Sequence, residues 1–561
     1  MKLPRLSLLT LAGALAATGL SFAAGSTITT QLTAAKIDYL FPLTTTTSNT
    51  LYNAQAIGYM YKGLFHVGNN GAIDYARSVA SSITSSDGGL LYTIKLNPKW
   101  HWSTGQPVTA QDVVFTWSLI NADCNRPNGA GTYAACGQGG IGAPGKPPTK
   151  TIITSVKAVG KYEVQVRIDT KTNPLWFEYN GLGQFEPLPK FYYDKFPGHP
   201  AKTYAYWTSH GGDVSLFTHA PIDGAFRVVK LVQGQEYDFA RNSKYNGHMP
   251  SYQNLVIKSF TSSDAEFNAL KAGEIDVGFV PTHLYAEHKI SGYKFFTTPV
   301  WGFNYIYVNF ANPAAPYLKS LTVRKALQMA IDQPAIVKAI FHGLGAPQYG
   351  PIPLFPRTQY VSPNILAGNP YPYNPAEGKK LLEQAGWTMH NGVMTKGKEK
   401  LAFTMLYTSG VTATQLQDEL LQAAAAKEGI KITLAPAPFD TLIGDLNSPK
   451  KWVLMDYGGV SQGAFPSMHG IFACHSGFNQ QGYCDPTADA LMKAASQQYY
   501  PSIKQTLQAF YNAENYLSLQ LPVLYQPINF GLQESSRKVK GVQASFQALA
   551  DRFAPQYWSL R

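Results

Sequence analysis

Side chains able to cut or transfer bonds are plentiful in this chain but do not stand in working arrangements. It has twelve histidines and four cysteines, yet no G-x-S-x-G turn to raise a serine nucleophile, no H-E-x-x-H zinc pair and no close pair of carboxylates in a recognisable setting. His283 and His288 are five positions apart, a spacing that does not place both squarely on one helical face. The cluster Gly137-Gln138-Gly139-Gly140 lacks the Lys-Ser/Thr ending and the strand-to-helix context of a phosphate loop, so it reads as a plain loop. The expectation is a binding protein with no catalytic residue, no cofactor and no metal site.

Groups that could grip a ligand lie in two aromatic and β-branched segments, residues 301–309 (WGFNYIYVN) and 519–530 (LQLPVLYQPINF). Each reads as a strand bounded or interrupted by Gly or Pro. The long α/β stretch between them is then a lobe entered and left through two adjacent crossings, which implies a hinged, two-lobed clamp. On a strand, Trp301, Phe303 and Tyr305 share one face; they line a cleft or pack a core.

The chain begins MKLPRLSLLTLAGALAATGLSFAA, with Lys2 and Arg5 before an apolar run and a small-x-small site at Ser21-Phe22-Ala23. This is the pattern of a secretory signal peptide over residues 1–23, cut after Ala23. A retained anchor is the alternative, but the run falls short of the roughly 18 residues that a span requires. No Cys follows it, which argues against a lipid anchor. The expected mature protein is exported, periplasmic and soluble.

Export bears on the cysteines. They fall into two local pairs, Cys124 with Cys136 and Cys474 with Cys484. In an oxidising compartment an even count suggests disulfides, and of the three connectivities local pairing is simplest. Closing each short loop stabilises the fold by roughly 3 kcal/mol in the chain-entropy model. A zinc site at Cys474-His475 and Cys484 is the weaker reading, because it lacks a close C-x-x-C.

The elements that must position these residues are marked by caps and periodicity. Thr109-Ala110-Gln111-Asp112 resembles a capping box ahead of VVFTWSLI, and Ser263-Asp264-Ala265-Glu266 repeats it before Phe267 and Leu270. Val323, Ala326, Leu327, Ala330 and Ile331 follow helical spacing. Asn374-Pro375 opens another helix, which ends at Gly386. Residues 151–159, 162–168 and 275–280 read as strands, and the Gly/Pro-rich span 124–150 as an irregular excursion.

Bulk properties set the remaining bounds. At 561 residues the chain exceeds one ordinary core, so two or three lobes are expected. The net charge of +12 comes from scattered Lys and Arg, which suits a solvated basic surface rather than a nucleic-acid site. Charged residues are only 14% of the chain, against about 25% in typical soluble domains; an acidic medium is one physical reason for such a composition.

Several separated blocks are similar to the extracytoplasmic solute-binding proteins of ABC importers, in the dipeptide and oligopeptide-binding family, solute-binding protein family 5. They are YMYKGLF at 59–65, LYTIKLNPKWHWSTGQPVTAQDVVFTWSLINA at 91–122, GAFRVVKLVQGQEYDFARNSKYNG at 224–247, EFNALKAGEIDV at 266–277, the span 307–343 containing VRKALQMAIDQPAIVKAIFHG, NPAEGKKLLEQAGW at 374–387, and LPVLYQPINF at 521–530. The resemblance implies an α/β fold, a periplasmic-binding-protein type II-like two-lobed clamp. Lobe I comprises 24–298 plus 526–561, with an accessory subdomain at 64–210, and lobe II is 299–525.

The resemblance also implies a function. A protein of this kind captures peptides in the interlobe cleft and delivers them to an ABC permease and its ATPase, as a monomer. Relatives on the same scaffold carry nickel chelates or oligosaccharides, and a chaperone or a secreted hydrolase is a more distant alternative. In peptide-binding members an Asp before an aromatic or Asn holds the ligand's α-amino group, and Asp456 in Asp456-Tyr457-Gly458-Gly459 matches that position. Gln462 and His469 are candidate polar contacts beside it or ordinary loop residues, and the strand bearing Trp301, Phe303 and Tyr305 matches a cleft segment. Two positions depart from the family pattern: Lys62 stands where an acidic residue is common, and Gly459-Val460 replaces an acid and Pro.

Overall fold

A computed structural model describes residues 26–126, 131–142, 151–456, 458–461 and 463–561. The expected leader 1–23 and the cleavage point after Ala23 lie outside the described residues, as do Tyr457 and Gln462. No helix among the described residues is long and apolar enough to cross a membrane.

Three bodies of secondary structure follow one another. The first is a four-stranded sheet of Thr27–Thr33, Asn254–Phe260, Glu236–Arg241 and Phe226–Val232, in that spatial order. Only the first pair is parallel, with Ile28 opposite Leu255. Alternation buries Ile28, Thr30 and Leu32 on one face of the opening strand. A small antiparallel sheet stands beside it, in which Gly531–Ser536 lies between Tyr293–Thr298 and Val277–Phe279.

The second body is inserted in the first. Its antiparallel sheet runs Ala80–Ser86, Leu91–Leu96, Glu163–Ile168, Ile153–Gly160, and the helix Ala110–Cys124 packs against that sheet and against the helix Pro200–Ser209. The expected capping box is present: the Thr109 N–H donates to Asp112 Oδ2 at 2.8 Å. The Asp112 carboxylate also takes the Lys190 N–H at 3.0 Å, which ties a second helix to the same cap.

The third body is a six-stranded mixed sheet with Gly302–Val308 near its middle. Val523–Gln526 pairs along one side of that strand, and Leu454–Asp456 followed by Gly459–Ser461 pair along the other. Ala402–Thr408 and Lys431–Ala437 extend the sheet in parallel from Leu454–Asp456. The chain leaves the first body at 299–301 and returns at 527–530, because Tyr293–Thr298 pairs with Gly531–Ser536 while Gly302–Val308 pairs with Val523–Gln526.

Some boundaries differ from the sequence reading for local reasons. Ser262, not Ser263, caps the helix Ser263–Lys271 by accepting the Ala265 N–H, and Glu266 turns inward to accept from the Phe279 N–H and the Thr33 hydroxyl. The periodic run from Val323 is two helices, Leu321–Met329 and Gln333–Ala339, since Asp332 caps the second and Pro334 cannot continue the first. Leu519 and Gln520 complete the helix Ile503–Gln520, so the last aromatic segment becomes strand only at Val523.

Candidate functional site

A cavity of about 380 Å³ lies between the first and second bodies, with Phe478 of the third at its lining. Its floor is the turn after the helix Leu51–Met60, where Tyr61, Lys62 and Gly63 leave the helix beside the loop that carries Asp223. Asp223 accepts the Lys62 N–H at 3.0 Å, and Gly224 donates to Met60 O at 2.8 Å. A Cβ on Gly224 would stand 2.3 Å from Tyr59 O, so only glycine lets these segments meet.

Polar groups dominate the lining. Gln55, Gln138, Gln184, Gln547 and Gln556 contribute amides, and Lys62, Glu186 and Arg552 contribute charge. The Lys62 ammonium lies 4.6 Å from the Trp100 ring centre and 5.9 Å from that of Tyr245. Burial, and then Lys99, Arg552 and Arg77, hold it down at about 8 against the pull of Asp223. Burial pushes the Asp223 carboxyl up in turn. Arg552 donates to Ala54 O at 3.1 Å and to Gln547 Oε1 at 3.4 Å. Burial raises Glu186 to about 7 although Arg552 and Lys62 draw it down, and burial lowers His66 to about 4.

The cysteines are bonded as Cys124–Cys136 and Cys474–Cys484, and both loops sit at the edge of this cavity. Tyr133 lines it from the first loop, Gln138 from just past that loop, and Phe478 from the second. The Asp123 carboxylate, which takes the Thr132 and Tyr133 N–H groups, fixes the first loop against its helix. The third body also touches the other two through Asn180 Nδ2 to Phe465 O at 3.3 Å, Asn173 N to Gln497 O at 3.2 Å, and the pair Lys36–Asp440 at 3.5 Å.

Asp456 ends the strand Leu454–Asp456. Met455 faces Tyr307 and Gly459 faces Asn304, so four steps on one strand oppose three on the other; the extra residue is a bulge. Gly458 has φ +119, and a Cβ on Gly459 would meet Phe303 O at 2.5 Å. Gly459 therefore lies in close backbone approach to the neighbouring strand. The Asp456 side chain is buried, with one oxygen accepting the Gly458 N–H at 3.2 Å. Gln526 and the Asp418 carboxyl lie beside it. Burial raises both acids, and the charge of Asp456 and a side-chain hydrogen bond between the two carboxyls add to the effect on Asp418. Sequence inspection missed this carboxyl pair because the two residues are 38 positions apart on a helix and a strand.

The aromatics of the crossing strand are packed rather than exposed. Trp301, Phe303 and Tyr305 are each at most 2% accessible; Trp301 stacks on Tyr360, and Phe303 meets Tyr305, Phe472 and Tyr525. His469 is buried within the second disulfide-bonded region and held neutral by burial. None of Asp456, Trp301, Phe303, Tyr305 or His469 lines the cavity. Lys62 stood out in the sequence only as a departure from the family pattern, and Arg552 and Glu186 carried no signal.

Comparison with known proteins agrees with this architecture. The profile of bacterial extracellular solute-binding proteins, family 5 middle region, matches residues 74–475. The oligopeptide-binding protein AppA of Bacillus subtilis is 26% identical over 460 residues, covering 79% of this chain and 78% of that one. The structure of AppA from Bacillus subtilis in complex with a nonapeptide superposes with a TM-score of 0.78 at 22% identity, covering 95% of this chain and 99% of that one. NikZ from Campylobacter jejuni in complex with Ni(L-His) superposes with a TM-score of 0.76 at 19% identity, over 95% and 99%.

Proposed function

The chain belongs to family 5 of the bacterial extracellular solute-binding proteins, and on that footing we propose that it is the exported, non-catalytic binding component of an ABC importer that captures peptides and hands them to a permease and its ATPase. The observation that carries this reading is the polar cavity in a chain with two strand crossings between its bodies, whose relatives include an oligopeptide-binding protein. A clamp of this kind binds by removing the solute from water between lobes. The amide-rich wall suits a ligand with many main-chain donors and acceptors. The domain reading is a first lobe of 24–298 and 526–561, with 64–210 as its accessory part, and a second lobe of 299–525. A nickel chelate is the second reading, favoured by the fold shared with NikZ.

Asp456 is proposed to hold the peptide α-amino group. Asp456 is buried beside the Asp418 carboxyl with no cation within 4.0 Å among the described residues, and an ammonium would supply a counter-charge. Native mass spectrometry of protein purified from its own host is expected to find bound peptide masses; a bound metal chelate, or no adduct, would remove the peptide reading. N-acetylated peptides should bind at least about a hundredfold more weakly than free ones, from a loss of roughly 3 kcal/mol or more at a buried pair, and Asp456→Ala should erase most of that difference. Equal affinity for the two forms would remove the Asp456 role.

A further inference from the structure

We propose that the cavity receives a carboxylate of the solute, with the Lys62 ammonium and the Arg552 guanidinium as its partners, so that the protein selects ligands with an anionic end. This rests on the binding function proposed above and adds the chemistry of one end of the ligand. Both cations line the same cavity. Among the described residues neither has a carboxylate oxygen within 4.0 Å. The Lys62 ammonium is held over two ring faces, which stabilise a cation without neutralising it. Arg552 uses two N–H groups on Ala54 O and Gln547 Oε1, and its other N–H groups remain for a planar, bidentate acceptor.

The guanidinium is also seated by design of the backbone. A Cβ on Gly58 would stand 2.5 Å from Arg552 Nη1, so the helix Leu51–Met60 keeps a glycine where the arginine crosses it. Two carboxyls are near enough to compete. Asp223 is turned to the Lys62 backbone N–H, and Glu186 lines the cavity without an ion-pair partner within 4.0 Å among the described residues. Burial raises both, so near neutral pH the positive charge of the cavity is incompletely offset. Two cations closed into a cavity lose hydration, and an incoming carboxylate restores the lost interaction.

The test uses matched peptide libraries that differ only in a free or amidated C-terminus, with succinate and citrate as small carboxylate probes, on the wild type, Lys62→Met and Arg552→Gln. The wild type is expected to take up the acid library at least about tenfold better than the amide library, and each variant should lose most of that preference. Equal uptake of acid and amide overturns the carboxylate site and leaves the peptide reading standing. Uptake of neither library, with a rise in unfolding temperature on succinate or citrate that Lys62→Met abolishes, keeps the site and removes the peptide reading. No response to any carboxylate overturns the site. Should a variant unfold early without ligand, the acid-to-amide comparison on the wild type decides alone.

Discussion

A lysine over two aromatic faces, standing where the family commonly has an acid, and an arginine packed on a helix glycine supply the positive charge of the cavity. Other buried ionisable groups act on stability instead. Glu428 follows the helix Thr412–Lys427, where the helix dipole opposes a negative charge. It is buried, packed against Gly378, and both its oxygens lack a hydrogen-bond partner among the described residues. Burial raises its pKa from 4.5 to about 9, and burial takes Glu266 and Glu514 to about 8. A folded pKa above the unfolded one means the folded state binds more protons, so this stability is complete below the ordinary carboxyl range and is lost as pH rises through 8 and 9. Thermal unfolding should therefore occur at least about 2 °C higher at mildly acidic pH than in alkaline buffer. Glu428→Gln should narrow that difference; a wild type that becomes more stable as pH rises would contradict it. The low charge content of the sequence fits the same preference for acid.

At the scale of elements, the two disulfide-bonded loops bring Tyr133 and Phe478 to the cavity. Freeing either loop costs roughly 3 kcal/mol of fold stability in the chain-entropy model. It should also weaken solute uptake, by about tenfold if 1.4 kcal/mol of that ordering falls on the bound state. The double variant Cys474→Ser with Cys484→Ser, assayed by calorimetry against the acid library, tests this; unchanged affinity would make the loop a passive staple. Element type was legible wherever a local signal existed. Thr109 with Asp112 marked one helix start, Asn374-Pro375 another, and the aromatic run at 301–309 a strand. Ser262 was missed as a cap because its neighbour Ser263 offers the same chemistry one residue on. The helix break near Ile331 was obscured because apolar spacing continues across it while Asp332 starts a new cap.

Across the whole molecule, the two crossings were readable because each is a strand punctuated by Gly or Pro, and the strand pairings put them at 299–301 and 527–530. The cavity was not readable, since Lys62, Glu186 and Arg552 come from three distant parts of the chain and share no period or motif. Only the folding of the C-terminal segment back onto the helix Leu51–Met60 brings Arg552 to Lys62's cavity. On the proposed clamp reading, solute enters by separation of the lobes about those crossings and is held by their closure. Small-angle scattering of ligand-stripped protein, compared with the same protein saturated with the peptide acid library, tests this most directly. A smaller radius of gyration in the saturated sample is the predicted result, and an unchanged radius at saturation would contradict the clamp.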